Sequence, residues 1–308
     1  MNKSLFQQTA DLYGISLPAL VEKDYYVVDL LKSIHDINLE SYDLIFTGGT
    51  CLTKAHINTN RLSEDIDFKI AANESILNSS RAQRKKIKKN IYEQIKDKIN
   101  SLSNFEIINK FARNEYGLQL FEIRYPSQFS IPDFIRPYIK LELFESIQFK
   151  KGINCSVKSL VNKASNSDPE INKINCSPIT VIAAEKLVAL LRRTAAEIRG
   201  IDQHPDTTLV RHAYDLHVIF KQLDIKGQVL NIVPQIIKND IEQFGNKDLY
   251  FKDSPITEMK TALKYIIENN TFANRYNMFL NPLVYDIDPP SWDEVKASLE
   301  ILCEEFFT

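Results

Sequence analysis

Two motifs in one short stretch, Gly48-Gly49-Thr50 and Asp65-Ile66-Asp67-Phe68, constrain this chain more than the rest of its sequence. The apolar run Leu44-Ile45-Phe46 ahead of the glycines reads as a buried strand. Glycine tolerates positive φ and lets main-chain amides approach a ligand closely. Thr50 stands where it would cap a helix through Leu52, Lys54 and Ile57. A glycine turn feeding a helix N-terminus attracts anions, because unsatisfied amides and the helix dipole point the same way. In the second motif, strand alternation puts Asp65 and Asp67 on one face, with Ile66 and Phe68 on the other. Adjacent carboxylates repel unless a cation lies between them, and hard oxygen donors suit Mg²⁺ that is shared with substrate phosphates. Turn and strand together predict nucleotidyl transfer, with phosphates at Gly48, Gly49, Thr50 and Lys54 and metal at Asp65 and Asp67.

The order Gly-Gly-Thr, short helix, then Asp-x-Asp on the next strand resembles the polymerase-β-like nucleotidyltransferase superfamily, and Ser63 fits the same pattern. Other stretches narrow the resemblance: Glu22-Lys23-Asp24-Tyr25-Tyr26 upstream, Arg61 to Phe68 at the centre, and Lys140-Leu141-Glu142-Leu143 after it. Ala184-Glu185-Lys186-Leu187-Val188-Ala189-Leu190-Leu191-Arg192 and Arg211-His212-Ala213-Tyr214-Asp215-Leu216 complete the series. Over roughly residues 20 to 220 it is similar to the AbiE-type abortive-infection toxin nucleotidyltransferases. One departure stands out: His212 occupies a position where the family often has an acid.

The resemblance implies a toxin of a toxin–antitoxin or phage-defence pair, with a cognate antitoxin as partner. It would transfer NMP from NTP to an acceptor hydroxyl and release pyrophosphate, using Mg²⁺ or Mn²⁺. Relatives modify the acceptor end of tRNA, and some modify a protein hydroxyl; RNA is the favoured acceptor here. The implied fold is α/β. A nucleotidyltransferase domain with a mixed sheet would span residues 1–175, and a mostly helical C-terminal domain, 176–308, would complete the active-site cleft. Two other readings compete with it: a non-catalytic module that senses nucleotide or sequesters a partner, and transfer to a small molecule.

Further residues follow from pattern and resemblance together. Around Lys140 alternation sends Ile139, Leu141 and Leu143 one way and Lys140, Glu142 and Phe144 the other. A strand laid beside Asp65 and Asp67 would deliver Glu142 as a third metal carboxylate. Lys186 and Arg193 share a helix face and suit a triphosphate, Arg193 as a planar fork and Lys186 as a point charge; the same residues also suit surface salt bridges. The resemblance makes Lys186 catalytic and has Asp215 orient it or assist proton removal, although Arg211 and Asp215 suit an exposed i,i+4 pair equally well. The helix expected after Asn73 and Ser75, running to about Asn100, is basic, with Ile87, Ile91, Ile95 and Ile99 along one face. It reads either as a solvated helix or as a platform for RNA phosphates, with Asn73 or Ser75 as its cap. The Glu22-Lys23-Asp24 run has no chemical role on this reading.

Composition sets the outer limits. A net charge of −2 over 308 residues advertises no global affinity for nucleic acid. No apolar run reaches membrane-spanning length, and the first residues lack a signal-peptide core, so a cytoplasmic, membrane-free protein is expected. Cys51, Cys155, Cys176 and Cys303 are scattered and read as free thiols, with Cys51 a packing residue. The polar stretch from Asn162 to Pro178 reads as a loop or linker.

Overall fold

The computed structural model describes residues 2–39, 41–73, 76, 79–146, 150–201 and 206–307. The chain divides into two compact units, Met1–Pro178 and Ile179–Thr308.

The first unit opens with helices α1 (Lys3–Tyr13) and α2 (Pro18–Ile34). Gly14, at φ 66°, closes α1 in the left-handed region that glycine adopts freely. Strand β1 (Tyr42–Thr47) leads into α3 (Gly48–Cys51), which continues as a π-helical turn over Leu52–His56. Then come β2 (Asp65–Ala72), α4 (Arg81–Asn100), β3 (Glu106–Arg113), β4 (Leu118–Arg124), β5 (Ile139–Glu145), β6 (Ile153–Val157), α5 (Leu160–Ala164) and β7 (Ile171–Cys176). The strands form one mixed sheet in the order β3-β4-β5-β2-β1-β7-β6. β2 runs antiparallel to β1 and parallel to β5, while β7 runs parallel to β1.

Register explains the core. Phe46, Phe68 and Leu143 are successive cross-strand partners, as are Ile66, Leu141 and Phe121. All six are fully or almost fully buried, and Tyr92 of α4 stacks on Phe121 with ring centroids 5.0 Å apart. In α4, Ile91, Ile95 and Ile99 are buried as the four-residue spacing predicts. Its cap is Ser80, which forms a capping box with Gln83. Asn73 lies ahead of the helix, and Ser75, the other expected cap, is outside the described residues.

The expected linker from Asn162 to Pro178 is not one. It holds the end of α5 and all of β7, which docks beside β1 with Phe46 opposite Cys176. Turn-forming Asn, Ser and Asp residues dominate its composition, and Ile171, Ile174 and Cys176 bury without period-2 alternation. Tertiary pairing decides this strand, and local pattern does not reveal it.

The regular structure described in the second unit is helical: α6 (Ile179–Ile198), α7 (Val210–Gln222), α8 (Lys226–Leu230), α9 (Val233–Phe244), α10 (Leu249–Asp253), α11 (Pro255–Glu268), α12 (Asn270–Leu283) and α13 (Trp292–Phe307). Leu187, Leu190 and Leu191 of α6 are buried, as are Tyr214, Ile219, Met259, Tyr276 and Leu299. Arg275 grips Glu197 through two hydrogen bonds of 2.9 and 2.7 Å. Among the described residues no helix is long and apolar enough to cross a membrane.

Candidate active site

The turn after β1 owes its shape to two glycines. Gly48 has φ 77°, and a Cβ there would stand 2.2 Å from Asp67 Oδ2. Only a residue without a side chain lets the turn lie against that carboxylate. A Cβ on Gly49 would meet Ser63 Oγ at 2.9 Å and Arg61 Nη2 at 3.0 Å. Thr50 departs from the expected capping role. The helix begins at Gly48, Thr47 holds the cap position, and Thr50 is fully buried. Its hydroxyl donates to the Asp65 carbonyl, with Ser63 Oγ 2.9 Å away, and so ties the turn to the start of β2.

Asp65 and Asp67 share a half-buried face, while Ile66 and Phe68 are buried on the other. Asp67 is the cross-strand partner of Glu142, and Asp65 of Lys140. Residues paired across strands share a face, so β5 brings Glu142 beside the aspartates as the alternation predicts. Two cations attend these carboxylates. Arg136 Nη1 lies 2.5 Å from Asp65 Oδ1, and Lys140 Nζ lies 2.8 Å from Glu142 Oε2. Burial opposes the Lys140 charge, yet Glu142, and after it Asp65 and Asp67, hold its pKa above the ordinary value. Arg136 likewise has its pKa raised: burial works against the charge, and Asp65 and Glu64 outweigh it.

Among the described residues, no three His, Cys, Asp or Glu side chains already converge as metal ligands. Asp65 is turned to Arg136 and Glu142 to Lys140. Their chemistry nonetheless fits a hard divalent cation. All three donors are oxygens, two alternate on one strand face, the third is in register, and Gly48 keeps the space beside Asp67 clear of a side chain.

Lys54, expected at the phosphates, is 9% exposed and forms a buried ion pair with Asp24 of α2. Its ammonium neutralises the Asp24 carboxylate in the packing between α2 and the turn helix. The Glu22-Lys23-Asp24 run thus proves structural in part, and Arg136 joins the site unforeseen. A signal for Arg136 exists: parallel pairing of β5 with β2 brings together their N-terminal ends, and Arg136 lies just before β5.

In the second unit Lys186 Nζ lies 2.8 Å from Asp215 Oδ2, with Asp215 fully buried. His212 Nδ1 is 3.5 Å from the same ammonium. Asp215 thus meets Lys186, the partner that the resemblance gives it, while Arg211 faces Asp206 at 3.8 Å. Arg193 is bound to Asp206 at 3.0 Å.

The cysteines are free, and three of the four meet in space. Cys51 and Cys176 are buried and hydrogen-bonded through their thiols, and Cys176 also meets Cys155. Burial pushes the Cys51 thiol well above its ordinary pKa, as befits a packing residue.

Residues 29–298 match the family model described as "Nucleotidyl transferase AbiEii toxin, Type IV TA system". The solved structure of MenT4, a nucleotidyltransferase toxin from Mycobacterium tuberculosis H37Rv, is similar at a TM-score of 0.59 and 14% identity, covering 100% of this chain and 93% of that one. No curated protein matches the chain.

Proposed function

Since the chain belongs to the AbiEii nucleotidyltransferase toxin family, we propose that it transfers NMP from an NTP to an acceptor hydroxyl on RNA, with Asp65, Asp67 and Glu142 as ligands of Mg²⁺. The observation that carries this reading is the register of Asp67 with Glu142 beside Gly48. Bound there, a divalent cation supplies positive charge to the phosphates and to the oxygens that attack and leave.

The chain's own groups do the rest. Gly48 and Gly49 leave the turn bare of side chains, so phosphate oxygens reach main-chain amides. Thr50 holds the turn to the first metal-ligating strand residue through the Asp65 carbonyl. Lys140 balances the negative charge of Glu142 and its neighbours. Lys186, oriented by buried Asp215, contributes a positive charge toward the triphosphate in this proposal. Arg193 is engaged with Asp206 and has a lesser claim to the same role.

RNA is favoured as acceptor because α4 presents Lys85, Lys86, Lys89 and Lys98 exposed on a chain that is mildly acidic overall. A tRNA is the specific substrate proposed, and a cognate antitoxin follows from the family. The test is incubation with Mg²⁺, each of four labelled NTPs, total RNA and lysate protein. Label on RNA in the tRNA size range supports the proposal. Label confined to protein or to small molecules overturns the choice of acceptor.

A further inference from the structure

Glu22, Lys23 and Asp24 are consecutive, charged and at most 2% exposed. Successive helix residues point about 100° apart, so each must find its partner on a different element. Glu22 accepts from Ser127 Oγ at 2.7 Å and from the Gln128 amide at 2.8 Å. Asp24 accepts from the Leu160 amide at 2.7 Å and pairs with Lys54. Lys23 pairs with Glu64 and donates to the Arg136 carbonyl at 2.7 Å. One buried ammonium thus fixes both the residue before Asp65 and the main chain of the residue whose guanidinium touches Asp65.

The surroundings of Arg136 point the same way. Ile135 is buried and anchors the chain on one side. Pro137 restricts the Arg136 backbone to extended conformations on the other. The backbone is held at three successive residues, while the side chain stays 38% exposed beside Asp65.

We propose that Arg136 is a substrate-contacting residue, which neutralises Asp65 before a divalent cation arrives and turns to the phosphates of the NTP once the cation takes that carboxylate. The inference rests on the reading of Asp65 as a metal ligand. Its logic is charge balance. A guanidinium and a dication cannot both hold Asp65 at full strength, and the displaced guanidinium then faces an incoming polyanion. Its planar fork matches two phosphate oxygens.

The test measures Mn²⁺ binding to the full chain by electron paramagnetic resonance, alone and with each of the four α,β-methylene NTP analogues. Wild type, Arg136→Gln, Arg136→Lys and Asp67→Asn are compared. Arg136→Gln should bind Mn²⁺ alone about tenfold tighter and Mn²⁺ with analogue about tenfold weaker. Arg136→Lys, which keeps the charge and loses the fork, should leave Mn²⁺ affinity near wild type and still weaken the analogue. Equal affinities in wild type and Arg136→Gln, or losses of both kinds, overturn the assignment. If wild type and Asp67→Asn bind Mn²⁺ alike, the metal reading itself fails, and that result is distinct from a failure confined to Arg136.

Discussion

Gly48 shows how tightly single residues are specified at this site. A side chain there carries two penalties: left-handed backbone costs about 1–2 kcal/mol, and a Cβ collides with the Asp67 carboxylate. Gly48→Ala is expected to lower nucleotidyl transfer by on the order of a hundredfold, because misplacing a reacting group by about 1 Å has that effect. Steady-state assays beside a melting curve check it, since transfer should fall far more than stability. Lys54 allows the opposite test. Its buried pairing with Asp24 predicts that Lys54→Met destabilises the fold by about 3–5 kcal/mol. Denaturant titration measures this, and a raised KM for NTP with unchanged stability would restore Lys54 to the phosphates. The two residues differ in how far the sequence reveals them. Gly48 and the shared face of Asp65 and Asp67 are legible because turn chemistry and period-2 alternation are local, whereas the place of Glu142 beside them follows from the resemblance and from a long-range strand pairing. The Lys54–Asp24 and Arg136–Asp65 pairs join distant positions, and no local pattern says which of many charges will meet.

At the scale of elements, the strands that carry the site follow their alternation, and the helix between β2 and β3 follows its isoleucine spacing. The helix start was obscured because several Ser and Asn residues precede it, and only the Ser80 and Gln83 geometry singles out the cap. Ser80→Ala should cost about 1 kcal/mol in equilibrium unfolding, with transfer activity retained. The β6 and β7 pair lay hidden for a different reason: its polar residues suit turns, and its place beside β1 comes from pairing with a strand far earlier in the chain. That pairing also gathers Cys155 and Cys176 near Cys51, which spacing along the chain conceals.

Across the whole molecule, each unit carries a histidine held neutral. Burial lowers the pKa of His56 below 6.5, against a hydrogen bond with the Ser177 carbonyl. Burial, and after it Lys221, lowers that of His217. Well above pH 6.5 both are neutral, folded or unfolded. Below it the unfolded chain takes up protons that the folded chain resists, so stability falls as pH drops from 6.5 through the folded pKa values. Melting temperature should therefore decline between pH 7.5 and pH 5, and His56→Gln should flatten part of that slope.

The central claim is that the carboxylates beside the glycine turn perform nucleotidyl transfer, and turnover of Asp67→Asn tests it most directly. The variant keeps the side chain's size, so circular dichroism and melting should stay near wild type. Removing the charge of a proposed metal ligand is expected to cut kcat/KM for label transfer by on the order of a thousandfold. Turnover near wild type in the folded variant would contradict the account.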